Sequence, residues 1–241
     1  MTERLYETDS YLAETEARVT AIAPDGGIVC DRSVFYAQGG GQPGDSGWLF
    51  WDGSPGGIAI VDAIKGAGDD VVLVPEDGAA TPESGALVRQ KLDWDRRFRH
   101  MRIHTALHLL SVAIPLPVTG GSIGSEKGRL DFDMPEAPED KDALEAKLNE
   151  IAEADAQVSF EWITDEELAA NPTLVKTMSV APPKGSGRVR LVRIADGDRV
   201  VDLQPCGGTH VARTGEIGRL RLGKIEKKGR RNRRVNMFLD E

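Results

Sequence analysis

Residues 101–110 of the chain are MRIHTALHLL, an apolar, helix-favouring stretch with two histidines four residues apart. In a helix, side chains at this spacing lie on one face with their Cβ atoms roughly 5 to 6 Å apart. That separation suits two imidazole nitrogens that converge on one Zn²⁺ at about 2.1 Å each. The stretch therefore predicts a helix in which His104 and His108 supply half of a metal site.

A second pair of metal-binding residue types lies far along the chain, where residues 204–210 are QPCGGTH. The proline and two glycines predict a tight turn, which brings the thiol of Cys206 and the imidazole of His210 to one point. Either pair alone is a weak signal, because a lone cysteine is more often a small buried hydrophobe. The chain has only two cysteines and four histidines, however, and most of them fall in these two clusters. We therefore expect His104, His108, Cys206 and His210 to bind zinc or a similar divalent metal, and to join distant parts of a folded domain.

Composition indicates an ordinary globular chain of 241 residues, with 40% hydrophobic and 29% charged content. This length fits one large or two small domains, and we favour two. No run approaches the roughly 18 apolar residues of a membrane span, and the start of the chain does not resemble a signal peptide, so a cytoplasmic protein is expected. Cys30 is expected to be a buried free thiol in a strand, without a disulfide partner.

The net charge of −9 is unevenly distributed. Residues 213–234 contain ten Lys and Arg side chains against two Glu, a local charge of +8, so the remainder carries −17. A basic end on an acidic body predicts a localised phosphate-binding patch. Charge alone equally allows a solvated strand and hairpin turn.

Residues 1–90 are expected to form a small β-barrel domain, because short β-prone runs alternate with Gly, Pro and Asp turns. Residues 35–47, FYAQGGGQPGDSG, contain three successive glycines that permit close backbone approach. Such a loop can be a connector. Its proline and its aromatic neighbours favour instead a loop pressed against a second domain or a ligand.

Residues 91–241 are expected to form an α+β domain in which an antiparallel sheet packs on helices. The pattern predicts helices over Asp93–Val112, Asp140–Ala156 and Thr164–Leu168, the last with an N-cap signature. It predicts a β-rich segment over Ser122–Phe132 and strands over Val158–Ile163, Arg188–Ile194, Arg199–Leu203 and Ile217–Ile225.

Taken in order, these motifs closely resemble the free-standing alanyl-tRNA editing proteins of intermediate length (AlaX type) and the editing domain of alanyl-tRNA synthetase. The match spans nearly the whole chain. It rests on residues 35–45 around GGGQP, 101–110, GRLDF at 128–132, CGGTHV at 206–211, TGEIG at 214–218, and the basic end. The resemblance implies a zinc-dependent editing domain over residues 91–241 that hydrolyses mischarged tRNA(Ala), chiefly Ser-tRNA(Ala), with Gly-tRNA(Ala) as a second candidate substrate.

That chemistry is physically sensible. A pocket for alanine cannot strongly reject a side chain that adds only a hydroxyl, so a second, hydrolytic site is needed. Zinc can orient the aminoacyl ester or activate water. Four protein ligands are a difficulty, since catalytic zinc usually keeps one position open.

Further residues are candidates for substrate contacts. The loop glycines Gly39, Gly40 and Gly41 with Gln42, and the residues Thr119, Ser122 and Ser125, are candidates for reading the serine hydroxyl. Thr105 is a candidate catalyst, although a plain helix-face role is favoured. His100 is a neighbour of the site, a phosphate contact or an exposed surface residue. Lys227, Lys228, Arg230 and Arg231 are expected to bind acceptor-stem phosphates.

Two other functions stay open. The editing domain of threonyl-tRNA synthetase shares the His and Cys-His pairs, and would act on Ser-tRNA(Thr). A non-catalytic RNA-binding module, in which zinc is structural and the basic end holds RNA, is the other alternative.

Overall fold

A computed structural model of the chain describes residues 1–176 and 187–240. The chain divides into two compact units, Met1–Phe98 and Arg99–Glu241. The sequence placed the domain boundary at residues 90 and 91, whereas the two units divide inside the helix Trp94–Ala113. None of the helices in the described ranges combines the length and the apolar character that crossing a membrane requires.

The first unit is built around a closed barrel of six antiparallel strands, as the punctuated β pattern predicts. The strands of this unit are β1 (Glu3–Arg4), β2 (Glu14–Ile22), β3 (Ile28–Cys30), β4 (Arg32–Ser33), β5 (Gly47–Trp51), β6 (Ser54–Lys65), β7 (Val71–Pro75) and β8 (Leu87–Leu92). The barrel strands pair in the order β2-β3-β7-β6-β5-β8, and β1 and β4 form a separate short parallel pair. Alternate residues of β8 are buried, which is the two-residue period of a strand with one face on a core.

An ion pair between Arg97 and Asp45 is fully buried in this unit. The Asp45 carboxylate accepts from Arg97 Nε at 2.9 and 3.1 Å and from the Tyr36 backbone N–H at 2.6 Å. The other guanidinium nitrogens donate to the carbonyls of Ser10 at 3.0 Å and Val34 at 2.6 Å. Burial of this charge is tolerated because protein groups on every side pair with it.

The glycine-rich loop is closed by two backbone hydrogen bonds. Gly39 N–H donates to the Gln42 carbonyl at 3.1 Å, and Gln42 N–H donates to the Gly39 carbonyl at 2.9 Å. Gly40 and Gly41 between them have φ of +56° and +85°, so this tight turn needs residues without a Cβ. The side chain of Gln42 is buried within the first unit.

The described part of the second unit combines helices with antiparallel sheets, so the α+β prediction is confirmed. Its helices are α1 (Trp94–Ala113), which begins in the first unit, α2 (Lys141–Glu153) and α3 (Asp165–Ala170). Its strands are β9 (Val118–Ile123), β10 (Lys127–Asp133), β11 (Gln157–Ile163), β12 (Val189–Asp196), β13 (Arg199–Pro205), β14 (Leu220–Lys227) and β15 (Asn232–Leu239). They form two sheets, with strand orders β14-β15-β10-β9 and β11-β12-β13.

Local signals place the helix starts correctly, and one strand prediction needs correction. The Asp140 carboxylate accepts from Ala143 N–H, and Thr164 forms the expected capping box at α3. The predicted strand Ile217–Ile225 begins only at Leu220, because Thr214–Ile217 form a 3₁₀ turn. Gly218, at φ +73°, ends that turn.

Helix α1 is held closely by strand β10. A Cβ on Gly128 would lie 2.6 Å from Ile103 Cγ2 and 3.2 Å from Leu107 Cδ1, so only glycine allows this approach. Arg102 Nε also donates to the Ile217 carbonyl at 2.9 Å. These contacts orient the helix face that carries the two histidines.

Candidate metal centre

The two histidines of α1 meet the Cys206–His210 turn in the second unit. The ligand atoms of His104, His108, Cys206 and His210 all lie within 4.8 Å of one another. Cys206 Sγ is 3.4 Å from His104 Nε2 and 3.3 Å from His210 Nε2. The three histidines are buried, and Cys206 is partly exposed. The predicted convergence of the two pairs is therefore present.

The turn that carries Cys206 and His210 is organised by Arg190. Strand β13 ends at Pro205, and Cys206 N–H donates to the Arg190 carbonyl at 3.1 Å. Arg190 Nη1 in turn donates to the carbonyls of Cys206 at 3.0 Å and Gly208 at 2.9 Å. One buried guanidinium thus satisfies carbonyls that a turn leaves without strand partners.

The imidazole of His108 is oriented by Asp202. His108 Nδ1 lies 2.8 Å from Asp202 Oδ2, and Lys176 Nζ forms an ion pair with the other carboxylate oxygen. A carboxylate only accepts, so Nδ1 carries the proton and the Nε2 lone pair is left for the centre of the cluster. Gln204 Nε2 donates to the same carboxylate at 2.7 Å.

Thr105 orients His210 in a similar way. Its hydroxyl donates to the Met101 carbonyl at 2.9 Å and lies 3.2 Å from His210 Nδ1. Because the hydroxyl proton is used, Thr105 accepts from Nδ1–H, and His210 also turns Nε2 towards the centre. Thr105 is fully buried, which fits a positioning role better than the candidate catalytic one.

The electrostatics of the cluster favour a thiolate at Cys206. Burial by itself raises the pKa of the Cys206 thiol, but the charges of His104 and His210 bring it well below its usual value. Burial lowers the pKa of His108, yet the hydrogen bond to Asp202 raises it to about 9. Burial raises the pKa of Asp202, while its bond to His108 brings it to about 2. Burial and the charge of His104 hold the pKa of His210 well below normal.

The donor set fits zinc. Zn–S and Zn–N bonds of about 2.3 and 2.1 Å at a tetrahedral angle place sulfur and nitrogen about 3.6 Å apart. The observed separations of 3.3 and 3.4 Å are close to this value. A low-pKa thiolate and two imidazoles with fixed Nδ1 protons are the ligand states that a borderline-soft cation requires.

The chain is similar over almost its whole length to proteins named alanyl-tRNA editing protein AlaX-M. It is 35% identical to the one from Methanosarcina acetivorans, with 99% of each chain covered. It is 34% identical to the one from Saccharolobus solfataricus, with 98% of each chain covered. The chain belongs to the alanyl-tRNA editing protein family.

Two further similarities point to synthetases. Residues 189–236 match the family described as threonyl and alanyl tRNA synthetase second additional domain. The chain is also 32% identical to the alanine–tRNA ligase of Pyrobaculum calidifontis over 94% of its own length but 25% of the ligase. The chain therefore spans about a quarter of that ligase.

The predicted hydroxyl-reading residues lie in different places. The loop Gly39–Gln42 belongs to the first unit. Thr119 Oγ1 is engaged in the second unit, where it donates to the Asp131 carbonyl at 3.1 Å. Ser122 pairs with Arg129, and Gly128 faces α1, so Ser122 lies on the opposite face of this sheet. Ser125 lies in the turn between β9 and β10.

The basic end forms the hairpin of β14 and β15, and its turn is exposed. Lys228 pairs with Glu226 at 2.6 Å, and Arg231 pairs with Asp133 at 2.9 Å. Among the described residues, Lys227 and Arg230 form no ion pair, so their charges stay available for phosphates. The solvated hairpin turn, which the sequence offered as the alternative to a phosphate-binding patch, is thus present. It carries four cationic side chains.

Sequence reasoning missed Asp202, Gln204 and Arg190, and left His100 open. A usable signal existed in β13, because Asp202 and Gln204 precede Cys206 at two-residue spacing and so share a strand face. His100 is buried, so its interpretation as an exposed surface residue is wrong.

Proposed function

We propose that the protein is a trans-editing hydrolase that deacylates mischarged tRNA(Ala), chiefly Ser-tRNA(Ala), with Gly-tRNA(Ala) as a second candidate substrate. The observation that carries the proposal is the convergence of His104, His108, Cys206 and His210, with two rings pre-oriented, in a chain of the alanyl-tRNA editing family. We assign these four residues to Zn²⁺. When bound, zinc supplies a Lewis acid that holds the aminoacyl group or lowers the pKa of water.

The open side of the site is the Cys206 turn. Gly207 is exposed, and a Cβ placed on it would meet no heavy atom within 4 Å among the described residues. The ester of the charged tRNA therefore approaches over the Cys206–Gly208 backbone, which is free of side chains at the two glycines.

The surrounding residues keep the ligands in place while substrate enters. Asp202, held by Lys176, retains the proton on His108 Nδ1, and Thr105 does so for His210. Fixed ring orientation keeps the donor atoms convergent without reorganisation during the reaction.

Discrimination between the seryl and alanyl esters requires a polar group of the protein that pairs with the serine hydroxyl. When the alanyl ester is bound, that buried group has no partner, which costs about 1 to 3 kcal/mol. Gln42, Thr119, Ser122 and Ser125 are the candidates for this group. A Gln42→Ala variant is expected to reduce the ratio of seryl to alanyl hydrolysis while retaining zinc. An unchanged ratio moves the search to the Thr119–Ser125 run.

The deciding experiment measures initial deacylation rates of zinc-loaded protein on Ser-tRNA(Ala), Gly-tRNA(Ala), Ala-tRNA(Ala) and Ser-tRNA(Thr). The seryl ester of tRNA(Ala) should be hydrolysed fastest and the cognate alanyl ester slowest. Equal rates on those two esters contradict the proposal, and a preference for Ser-tRNA(Thr) supports a threonyl-type editor.

Chelation separates an enzyme from an RNA-binding module with structural zinc. Removal of zinc should abolish hydrolysis while the far-ultraviolet circular dichroism of the protein is retained. Loss of the folded signal together with activity favours the binding module.

A further inference from the structure

Strand β11 carries two aromatic side chains on the sheet face that leads to the metal cluster. Phe160 pairs with Val192, which pairs with Gln204, and antiparallel partners share a face. Gln204 Nε2 lies 3.1 Å from His108 Nδ1. The Phe160 ring centroid is 6.5 Å from that of His210. Trp162, two residues along, lies on this same face.

Each aromatic ring has an arginine over one of its faces. Arg190 Cζ lies 3.7 Å from the Phe160 ring centroid, and Arg188 Cζ lies 4.3 Å from the Trp162 ring centroid. We call Phe160, Trp162, Arg188 and Arg190 the aromatic–arginine ladder. It begins beside His210 and ends at Trp162 and Arg188, which are exposed.

Exposure along the ladder distinguishes it from ordinary core. Val158 on the same strand face is buried, Phe160 is partly buried, and Trp162 is 39% exposed. A tryptophan left in solvent beside an arginine offers a flat apolar surface with a positive charge. Unpaired nucleotides bind to such surfaces, because every base has a stackable face and a phosphate nearby.

We propose that the aromatic–arginine ladder binds the unpaired nucleotides at the 3′ end of the tRNA, by stacking of a base on Trp162 and by pairing of Arg188 with phosphate. The inference rests on the proposed function, since the ester to be cut is on the terminal ribose. A base next to that ribose must then lie beside His210, which is where the ladder begins.

The test measures binding of two uncharged probes, tRNA(Ala) and the same tRNA without its two terminal nucleotides. Trp162→Ala should bind the intact tRNA about 5- to 20-fold more weakly, as expected for loss of one stacked base, and should bind the shortened tRNA like the wild type. Trp162→Phe keeps a stacking ring and should retain most of the affinity. Arg188→Gln should weaken binding of the intact tRNA and lower its salt dependence.

Trp48→Ala is the matched control, because Trp48 is 42% exposed on strand β5 of the other unit. This variant should bind the intact and the shortened tRNA with the same affinities as the wild type. Zinc content should be unchanged in all four variants. Intact tRNA should also quench tryptophan fluorescence in the wild type and in Trp48→Ala, with a smaller effect in Trp162→Phe.

If Trp162→Ala binds the intact tRNA as tightly as the wild type does, the role of the ladder is overturned, whatever the hydrolysis assay shows. Ladder-dependent binding without hydrolysis of any ester contradicts the proposed function alone. Hydrolysis with unchanged binding in Trp162→Ala contradicts the ladder alone.

Discussion

The first unit, which contains the barrel, and the second unit, which contains the metal cluster, each bury strongly polar side chains. The two groups of side chains differ in whether the protein supplies all their partners. In the barrel, Arg97 and Asp45 find all their partners within the protein. In the metal unit, His108 and His210 use Nδ1 for protein partners and direct Nε2 towards Cys206 and one another. Lone pairs that converge in this way are stabilised by a cation. The first arrangement is structural, and the second could hold a metal ion.

The two cysteines show the same contrast. Burial raises the pKa of the Cys30 thiol in the barrel to about 12, so it remains a protonated hydrophobe. The pKa of the Cys206 thiol is held well below its usual value by His104 and His210, despite burial. One residue type therefore serves as core in one unit and belongs to a group that could hold a metal in the other.

The largest effect is expected at the metal ligands. Cys206→Ala and His108→Ala should lose most bound zinc and lower deacylation by more than the roughly 10- to 100-fold that a supporting residue costs. Cys30→Ala should keep its zinc and lose only about 1 kcal/mol of unfolding free energy. Metal analysis after dialysis measures this, and zinc retained in both ligand variants would refute the site.

Loss of the buried Arg97–Asp45 ion pair should lower the free energy of unfolding and leave the zinc content unchanged. Asp45→Asn leaves the Arg97 charge buried and uncompensated, which costs about 3 to 5 kcal/mol of unfolding free energy. Urea unfolding followed by tryptophan fluorescence measures it.

The matched control for this variant is Glu14→Gln, which removes an exposed ion pair with Arg89 from the same barrel. That change should cost less than about 1 kcal/mol. Similar losses in the two variants would mean that the buried pair has no special role in the barrel.

A smaller effect is expected one step away from the metal ligands. Asp202→Asn keeps the shape of the side chain but weakens the hydrogen bond that orients His108, so zinc affinity should fall about 10- to 100-fold. Competition with a chelator measures the affinity. Asp133→Asn, which removes an exposed partner of Arg231, is the control and should leave it unchanged. Equal zinc affinities of Asp202→Asn and the wild type would mean that Asp202 does not support zinc binding.

The smallest effect is expected at the basic turn. Alanine at Lys227, Lys228, Arg230 and Arg231 should weaken tRNA binding and lower its log–log salt slope by about 0.7 to 0.9 for each lost phosphate contact. Because Lys228 and Arg231 already pair with carboxylates, the double variant of Lys227 and Arg230 should show most of the change. Zinc content should stay constant. A salt series with unchanged slope would assign the turn to plain surface.

The sequence alone determined the local features of both units. The i, i+4 histidines predicted one face of α1, and Thr164 with Glu167 predicted a capping box that is present. The two glycines predicted the change of direction between Cys206 and His210, whereas Pro205, which was expected in that turn, is the last residue of β13. Family motifs then joined these pieces in the correct order. Such features depend on a few neighbouring residues and on the fixed geometry of a helix or turn, so spacing along the chain is enough to find them.

Only the tertiary structure decided which residues complete the site. Asp202 reaches His108 and Thr105 reaches His210 because strand β13 and helix α1 pack in one particular register. The register between β9 and β10 places Ser122 on the far face of its sheet, and the packing of α1 buries His100. A shift of one residue in a strand reverses the direction of every side chain, and no local pattern specifies that register between distant segments.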